Sequence, residues 1–190
     1  YLAHEFSPLG LAMEDKADRM NEGLSLMRTF WSSPSTTFAG KYNRLVDAGN
    51  AVRPLQKPFP PTWIAVLRKE AAYYVGRQGF NMMGIAYVTV NNPAELRELL
   101  QSYKQGYAES GAAPEDMQIC IALKVHVAET REQAIAQARA SVERYLRTRK
   151  YARGATFQSL MENRLLAVGD PDDVARVLEE YQEAGVTQLM

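Results

Sequence analysis

The sequence predicts an α/β fold in which parallel strands alternate with helices. Short apolar runs of strand length recur at 62–67, 80–85, 118–127 and 186–190. Between them lie segments with three- and four-residue apolar spacing, bounded by capping and breaking residues. Strict alternation of the two periodicities implies parallel strands joined by right-handed helical crossovers.

Residues 1–11 read as a loop broken by Pro8 and Gly10. A helix follows from about Met13 to Trp31, because Met20, Leu24, Met27 and Trp31 fall on one stripe. Glu14 and Asp15 in its first turn and Arg28 in its last suit the helix dipole. Arg19 and Glu22, three residues apart, are expected to form a local ion pair. Ser32 to Ser35 stops the helix. The segment 36–57 carries Gly40, Gly49, Pro54 and few apolar residues, and reads as a surface excursion with short strands at 37–39 and 42–46.

The chain is organised around residues 58–71. Pro58, Pro60 and Pro61 fix an extended lead-in without backbone donors. Thr62 to Leu67 is apolar, β-branched and aromatic, long enough for a core strand and too short for a helix. Arg68, Lys69 and Glu70 then open a helix that ends at Gly79. A strand that ends at a helix N-terminus aims free N–H groups at one point, which suits an anion. The same pattern equally describes an ordinary strand-to-helix turn with solvated charges.

Phe80 to Ile85 reads as the next strand. Asn91, Asn92 and Pro93 open a helix whose stripe is Leu96, Leu99, Leu100, Tyr103 and Tyr107. From Gln118 to Val127 the chain alternates: Ile119, Ile121, Leu123, Val125 and Val127 on one face, Cys120, Ala122, Lys124 and His126 on the other. Thr130 caps a helix to about Arg147 with Ile135, Ala138, Val142 and Leu146 inward. Residues 148–167 are basic and then helix-like. Asp170 and Pro171 start a last helix with Val174, Val177, Leu178 and Tyr181 on one face, Gly185 ends it, and a strand begins at Val186.

Composition narrows the function classes. The 190 residues, 46% hydrophobic, suit one partial domain spanning 1–190. Lys plus Arg and Asp plus Glu balance at 22 each, so bulk charge points to neither nucleic acid nor a membrane surface. The single cysteine, Cys120, excludes an internal disulfide and a cysteine-based zinc site, and fits a reducing cytoplasm; no metal site is expected. No apolar run approaches the roughly 18–20 residues needed to span a bilayer.

Parallel alternation permits an open doubly wound sheet or a closed barrel. No GxGxxG or GxxxxGK[ST] motif follows a strand. The alternation at 119–127 favours a barrel strand, aliphatic outward and smaller or polar inward, with Lys124 and His126 facing the lumen near its C-terminal end. With four strands, the chain reads as strands 5–8 of a parallel (β/α)8 TIM-type barrel.

With these segments in place, the chain resembles the C-terminal half of the bacterial-luciferase-like flavin monooxygenases. The resemblance is carried by Tyr1 to Phe6 with Gly10, by Arg19, Glu22-Gly23-Leu24 and Trp31, and by Phe38 to Tyr42. It continues through Gln56 to Ala65, Val127 to Thr130 with Ala134, Gly169 to Ala175, and Glu183 to Val186. It implies an eight-stranded barrel binding reduced FMN, or in one branch a deazaflavin, at the C-terminal strand ends. It places the flavin phosphate at Arg68, Lys69, Glu70 and Ala71, where many members have S-x-E-S. Here a serine hydroxyl is replaced by the methyl of Ala71, so backbone N–H groups and Arg68 would supply the contact.

The resemblance also makes His126 the candidate catalytic or substrate-contact residue, against a histidine satisfied within the wall. Met82 and Met83 would flank the flavin ring, against core filling. Tyr1 and Glu5 would line the cofactor mouth, and His4 is read as surface. Arg144, Arg147, Arg149, Lys150 and Arg153 would be part of a lid or simply a solvated helix end.

The expected function is a flavin-dependent monooxygenase in which reduced FMN from a separate reductase, with O2, oxidises a small organic substrate. A deazaflavin-dependent hydride-transfer oxidoreductase and a non-catalytic flavin-binding barrel fragment are the alternatives. Half a barrel would leave two sheet edges unpaired, so a homo-oligomer is expected, and the piece alone would be inactive.

Overall fold

The computed structural model describes residues 3–149, 152 and 154–190. The chain divides into two compact units, Tyr1–Pro61 and Thr62–Met190.

The first unit opens with a short helix, α1 (Ala3–Phe6), and a 3-10 turn (Ser7–Leu9), where a loop was expected. Gly10, at φ +66°, ends this turn in the left-handed region. Helix α2 (Lys16–Ser32) is followed by an antiparallel hairpin, β1 (Ser35–Ala39) and β2 (Arg44–Gly49), with a register shift between Thr36 and Phe38. The apolar stripe of α2 exists but is not buried: Met20 is 46% exposed and Met27 36%. Thr36 is the single buried residue among the described residues of this unit.

What ties α2 to the hairpin is polar. Glu22 does not pair with Arg19. Its carboxylate accepts from the backbone N–H groups of Lys41 at 2.7 Å, Tyr42 at 3.0 Å and Asn43 at 2.6 Å, and from the Asn43 amide at 3.0 Å. Three successive N–H groups at a tight turn form an anion nest, and the helix supplies the anion. Arg19 instead lies 4.2 Å from the centroid of the Tyr42 ring. Asp15 accepts from the Tyr42 hydroxyl at 2.8 Å and from Lys41 Nζ at 3.3 Å.

The second unit is built on a four-stranded parallel sheet. Its elements in order are β3 (Trp63–Ala65), α3 (Lys69–Arg77), β4 (Asn81–Ile85), α4 (Ala86–Thr89), α5 (Pro93–Glu109), β5 (Ile119–Ala122), β6 (Lys124–Val127), α6 (Arg131–Arg147), α7 (Phe157–Glu162), β7 (Leu166–Gly169), α8 (Pro171–Ala184) and β8 (Gln188–Leu189). The sheet runs β3-β4-β5-β8, every pair parallel, with Ile64 beside Met82, Met82 beside Ile119, and Ile121 beside Leu189. Met82, Ile119 and Ile121 are at 0% exposure. The spatial order never reverses, unlike a doubly wound sheet, which turns back at a switch point. Among the described residues the sheet is open and no barrel closes.

Two parts of this unit differ from the expectation. The run 118–127 is not one strand. Leu123 donates to Met190 O, while Lys124 to Val127 pair with Leu166 to Gly169 in a separate two-stranded sheet. The chain therefore changes sheets at Leu123, and Val125 and Val127, expected under helices, are 50% and 47% exposed. The second difference is β7, which lies where a helix-like stretch was expected. Arg164, at φ +56°, ends α7, and all four residues of β7 are buried. A strand buried on both faces loses its alternation, and a short apolar run then gives no period to read.

The caps match the sequence reading. Asn92, Thr130 and Asp170 accept from Glu95, Gln133 and Asp173 N–H, and Thr156 adds a capping box on α7. The stripe of α5 is buried as expected; on α6, Ala134 rather than Ile135 turns inward, and on α8 Leu178 stays half-buried. Helices α3 and α5 meet through glycine. A Cβ on Gly76 would lie 2.3 Å from Tyr103 O, and one on Gly106 2.1 Å from Tyr73 O. Only hydrogen side chains allow this backbone approach.

Candidate functional site

The C-terminal ends of β3, β4 and β5 lie along one edge of the parallel sheet. After β3, Val66 is 1% exposed and donates to Met83 O at 2.8 Å. The Thr89 hydroxyl joins the first two strand ends: it donates to Val66 O and accepts from Ile85 N–H, both at 3.1 Å.

The chain then turns into α3. Arg68 is the N-cap, extended at φ −147° and ψ 148°, and its side chain caps nothing. The N–H groups of Lys69, Glu70 and Ala71 precede the first intrahelical bond, from Ala72 N–H to Arg68 O, and have no acceptor among the described residues. In contrast, α5, α6, α7 and α8 each receive a side-chain cap. Residues 68–71 are all exposed. Lys69 is drawn away from the turn: its Nζ pairs with Glu98 Oε2 on α5 at 2.9 Å. Arg68 makes no ion pair among the described residues and is the cation left at the turn. Open donors, a methyl that leaves the third N–H uncovered, and one unpaired guanidinium fit a phosphate group; the Glu70 carboxylate opposes it.

Met82 lies inside the core at 0% exposure and Met83 is half-buried on the other face of β4. His126 is half-buried in β6, and its Nε2 lies 2.8 Å from Gln137 Oε1 on α6. It therefore belongs to the small β6–β7 sheet, not to the inner face of the four-stranded sheet. The structure does not join it to residues 68–71 by any described contact. His4 and Glu5 are exposed on or beside α1. Tyr1, Lys150 and Arg153 lie outside the described residues. Cavities of about 320 Å³ and 330 Å³ lie along α6 and α7; the first is lined by Glu143, Arg147 and Thr156 among others, the second by Arg131, Phe157 and Arg164 among others.

A second polar cluster follows β4 and β5, and sequence reasoning missed it. Tyr87 on α4 and Tyr145 on α6 join their hydroxyls at 2.9 Å, with the rings edge-to-face at 6.0 Å. Lys124 Nζ sits 3.5 Å from the centroid of the Tyr145 ring, and Arg149 Cζ 4.5 Å. Neither cation meets a carboxylate among the described residues. Burial alone would raise the Tyr145 phenol, but the Tyr87 hydrogen bond and the charges of Lys124 and Arg149 outweigh it and hold the phenol below its ordinary value. Lys124 was legible as a polar residue late in its strand. Tyr145 and Tyr87 stand 21 and 37 positions away from it and 58 from each other, separations that no local period encodes.

A family model described as luciferase-like monooxygenase matches residues 1–188. The chain belongs to the luciferase-like monooxygenase family. It is 24% identical over 190 residues to an F420-dependent glucose-6-phosphate dehydrogenase of Amycolatopsis mediterranei, covering 93% of this chain and 55% of that protein. Among solved structures it is similar to monooxygenase RslO1 from Streptomyces bottropensis, with a TM-score of 0.86 at 21% identity over 100% of this chain and 57% of that one. It is also similar to the oxygenating constituent of 3,6-diketocamphane monooxygenase from the CAM plasmid of Pseudomonas putida, in complex with FMN. There the TM-score is 0.64 at 17% identity, over 92% of this chain and 56% of that one. The chain thus spans about half the length of the curated relatives it matches. These likenesses establish the α/β fold with its parallel sheet, and a family of oxidoreductases that includes FMN and F420 users. Among the described residues no helix is long and apolar enough to cross a membrane, and no group of three or more His, Cys, Asp and Glu is placed to hold a metal ion.

Proposed function

We propose that this chain is the phosphate-binding half of a flavin-dependent monooxygenase, in which reduced FMN and O2 oxidise a small organic substrate. The observation that carries the reading is the open N-terminus of α3: three unpartnered N–H groups and Arg68 beyond the C-terminal end of β3. The unreversed order β3-β4-β5-β8 supports its being strands 5–8 of a (β/α)8 barrel. When bound, the flavin supplies the redox chemistry; the protein's part is to hold and orient it. In this reading Lys69, Glu70 and Ala71 offer backbone donors to the phosphate and Arg68 a charge-assisted bond. Met83, with Met82 behind it, lies toward the ring, Tyr1 at the mouth, and His126 touches substrate. A separate flavin reductase, a homo-oligomeric assembly and a cytoplasmic setting complete the proposal.

The similarity to an F420-dependent dehydrogenase favours a second reading, a deazaflavin-dependent hydride-transfer oxidoreductase. A flavin-binding module without catalysis is the third. Fluorescence titration with FMN and with the deazaflavin separates the first two. Lys69→Pro deletes one N–H at the first helical position, where proline is tolerated and the preceding Arg68 is already extended. It is expected to weaken the preferred cofactor about tenfold or more with helix content unchanged. Affinity for neither cofactor, or equal affinity in the proline variant, would refute the phosphate assignment. Binding without turnover leaves the third reading standing.

A further inference from the structure

The phosphate reading does not use the cluster of Tyr87, Lys124, Tyr145 and Arg149. Its position is informative. Tyr87 follows β4 and Lys124 follows β5, on the same sheet edge from which β3 runs into the α3 turn. The groups facing the Tyr145 phenol are Tyr87 from α4, Lys124 from β6 and Arg149 from the segment after α6, and among the described residues no carboxylate joins them. Two uncompensated cations against one ring favour a negative charge on its oxygen, and the Tyr87 hydroxyl can donate to that oxygen. Tyr145 is half-buried, so its oxygen is not sealed in the core.

We propose that Tyr145 is an acid–base residue of this site, whose phenolate oxygen accepts the proton of a substrate hydroxyl and whose phenol returns it. The substrate O–H bond breaks and the Tyr145 O–H bond forms; no electrons are exchanged at this residue. The hydride leaving the carbinol carbon goes to the oxidised deazaflavin of the second reading, and the phenol then gives its proton to solvent or, in the reverse direction, to the carbonyl oxygen. Lys124 and Arg149 lower the cost of the phenolate, and Tyr87 orients it by its hydrogen bond. The choice of a hydroxyl substrate rests on the oxidoreductase reading, but the ionisation of Tyr145 does not.

Ultraviolet titration of tyrosinate in the cofactor-free protein tests the ionisation. Of the ten tyrosines, one is expected to ionise before the others. Tyr145→Phe should remove that early step, and Lys124→Met and Tyr87→Phe should each move it to higher pH. In the whole enzyme of which this chain is the proposed half, loaded with oxidised deazaflavin and with isopropanol as probe alcohol, turnover should fall on the acid side as the phenolate is protonated. Tyr145→Phe should erase that limb and lower kcat about 100-fold, with KM changed far less. An early step that is absent or survives Tyr145→Phe overturns the proposal, as does an acid limb unchanged in that variant. Failure of cofactor binding would sink the phosphate reading and leave the titration untouched.

Discussion

Residues 1–61 and residues 62–190 each hold helices against strands, but with different chemistry. In the first, a helix with an exposed apolar stripe is tied to a hairpin by Glu22 in a nest of three N–H groups and by Asp15 on Tyr42. In the second, the holding force is apolar burial along β4 and β5, and backbone contact at Gly76 and Gly106. The contrast teaches that the same α/β vocabulary serves two regimes. A carboxylate tie is directional and titrates, whereas a close-packed core is insensitive to acid but intolerant of volume change.

The largest break in this comparison should come from the core. Ile121→Ala empties a fully buried position on the central strand and is expected to cost about 3–4 kcal/mol, read by urea denaturation. Gly106→Ala should follow at about 2–3 kcal/mol, because the new methyl meets the Tyr73 carbonyl rather than a side chain that could move. Removing the Tyr103 hydroxyl, which donates to Phe80 O at 3.0 Å, loses a buried hydrogen bond and should cost about 1 kcal/mol. None of the three should change amide exchange at Lys41, Tyr42 or Asn43.

The pH response sharpens the same contrast. Burial would raise Glu22, but bonds from the Asn43 side chain and the N–H groups of Tyr42, Asn43 and Lys41 bring it below its ordinary value. Asp15 is lowered by the Tyr42 and Lys41 hydrogen bonds. Groups with depressed folded values stabilise above their unfolded values and lose that contribution as pH falls through the folded ones. The first unit should therefore loosen as pH drops below about 4. Burial raises Tyr103 and Tyr181, so their stabilising contribution is complete below about pH 10 and lost above it; the second unit should loosen in alkali. Hydrogen exchange across the two limits checks both signs, and an acid response confined to the second unit would reverse the assignment. The smallest effect is expected from Glu22→Gln. It should speed exchange at residues 41–43 several-fold and leave the urea midpoint of the second unit in place.

Parts of this architecture were legible because their causes are local. Asn92 before Pro93, Thr130, Asp170 before Pro171, and Gly185 after α8 act within one helical turn of themselves, so the sequence displays both partners at once. The stripe of α5 was legible for the same reason. The family resemblance, which rested on ordered short motifs, is matched by the family model over residues 1–188.

Other parts had no local signature. The alternation from Ile119 to Val127 continues smoothly through Leu123, yet the hydrogen-bond partners change there, from β4 and β8 to β7. Glu22 sits at the right spacing to pair with Arg19, but a nest some 20 residues away offers it three donors. The hydroxyls of Tyr87 and Tyr145 meet across 58 residues.

The amino-acid sequence alone determined where the capped helices α5, α6 and α8 begin, that strands and helices alternate, and that a basic turn follows the first core strand. Those outcomes depend on backbone sterics and on side chains within a few residues of one another. The tertiary structure alone decided which sheet His126 joins, what satisfies Glu22, and which cations surround Tyr145. Those outcomes depend on contacts between distant segments, whose energies exceed local preference only once the sheet has brought the segments together.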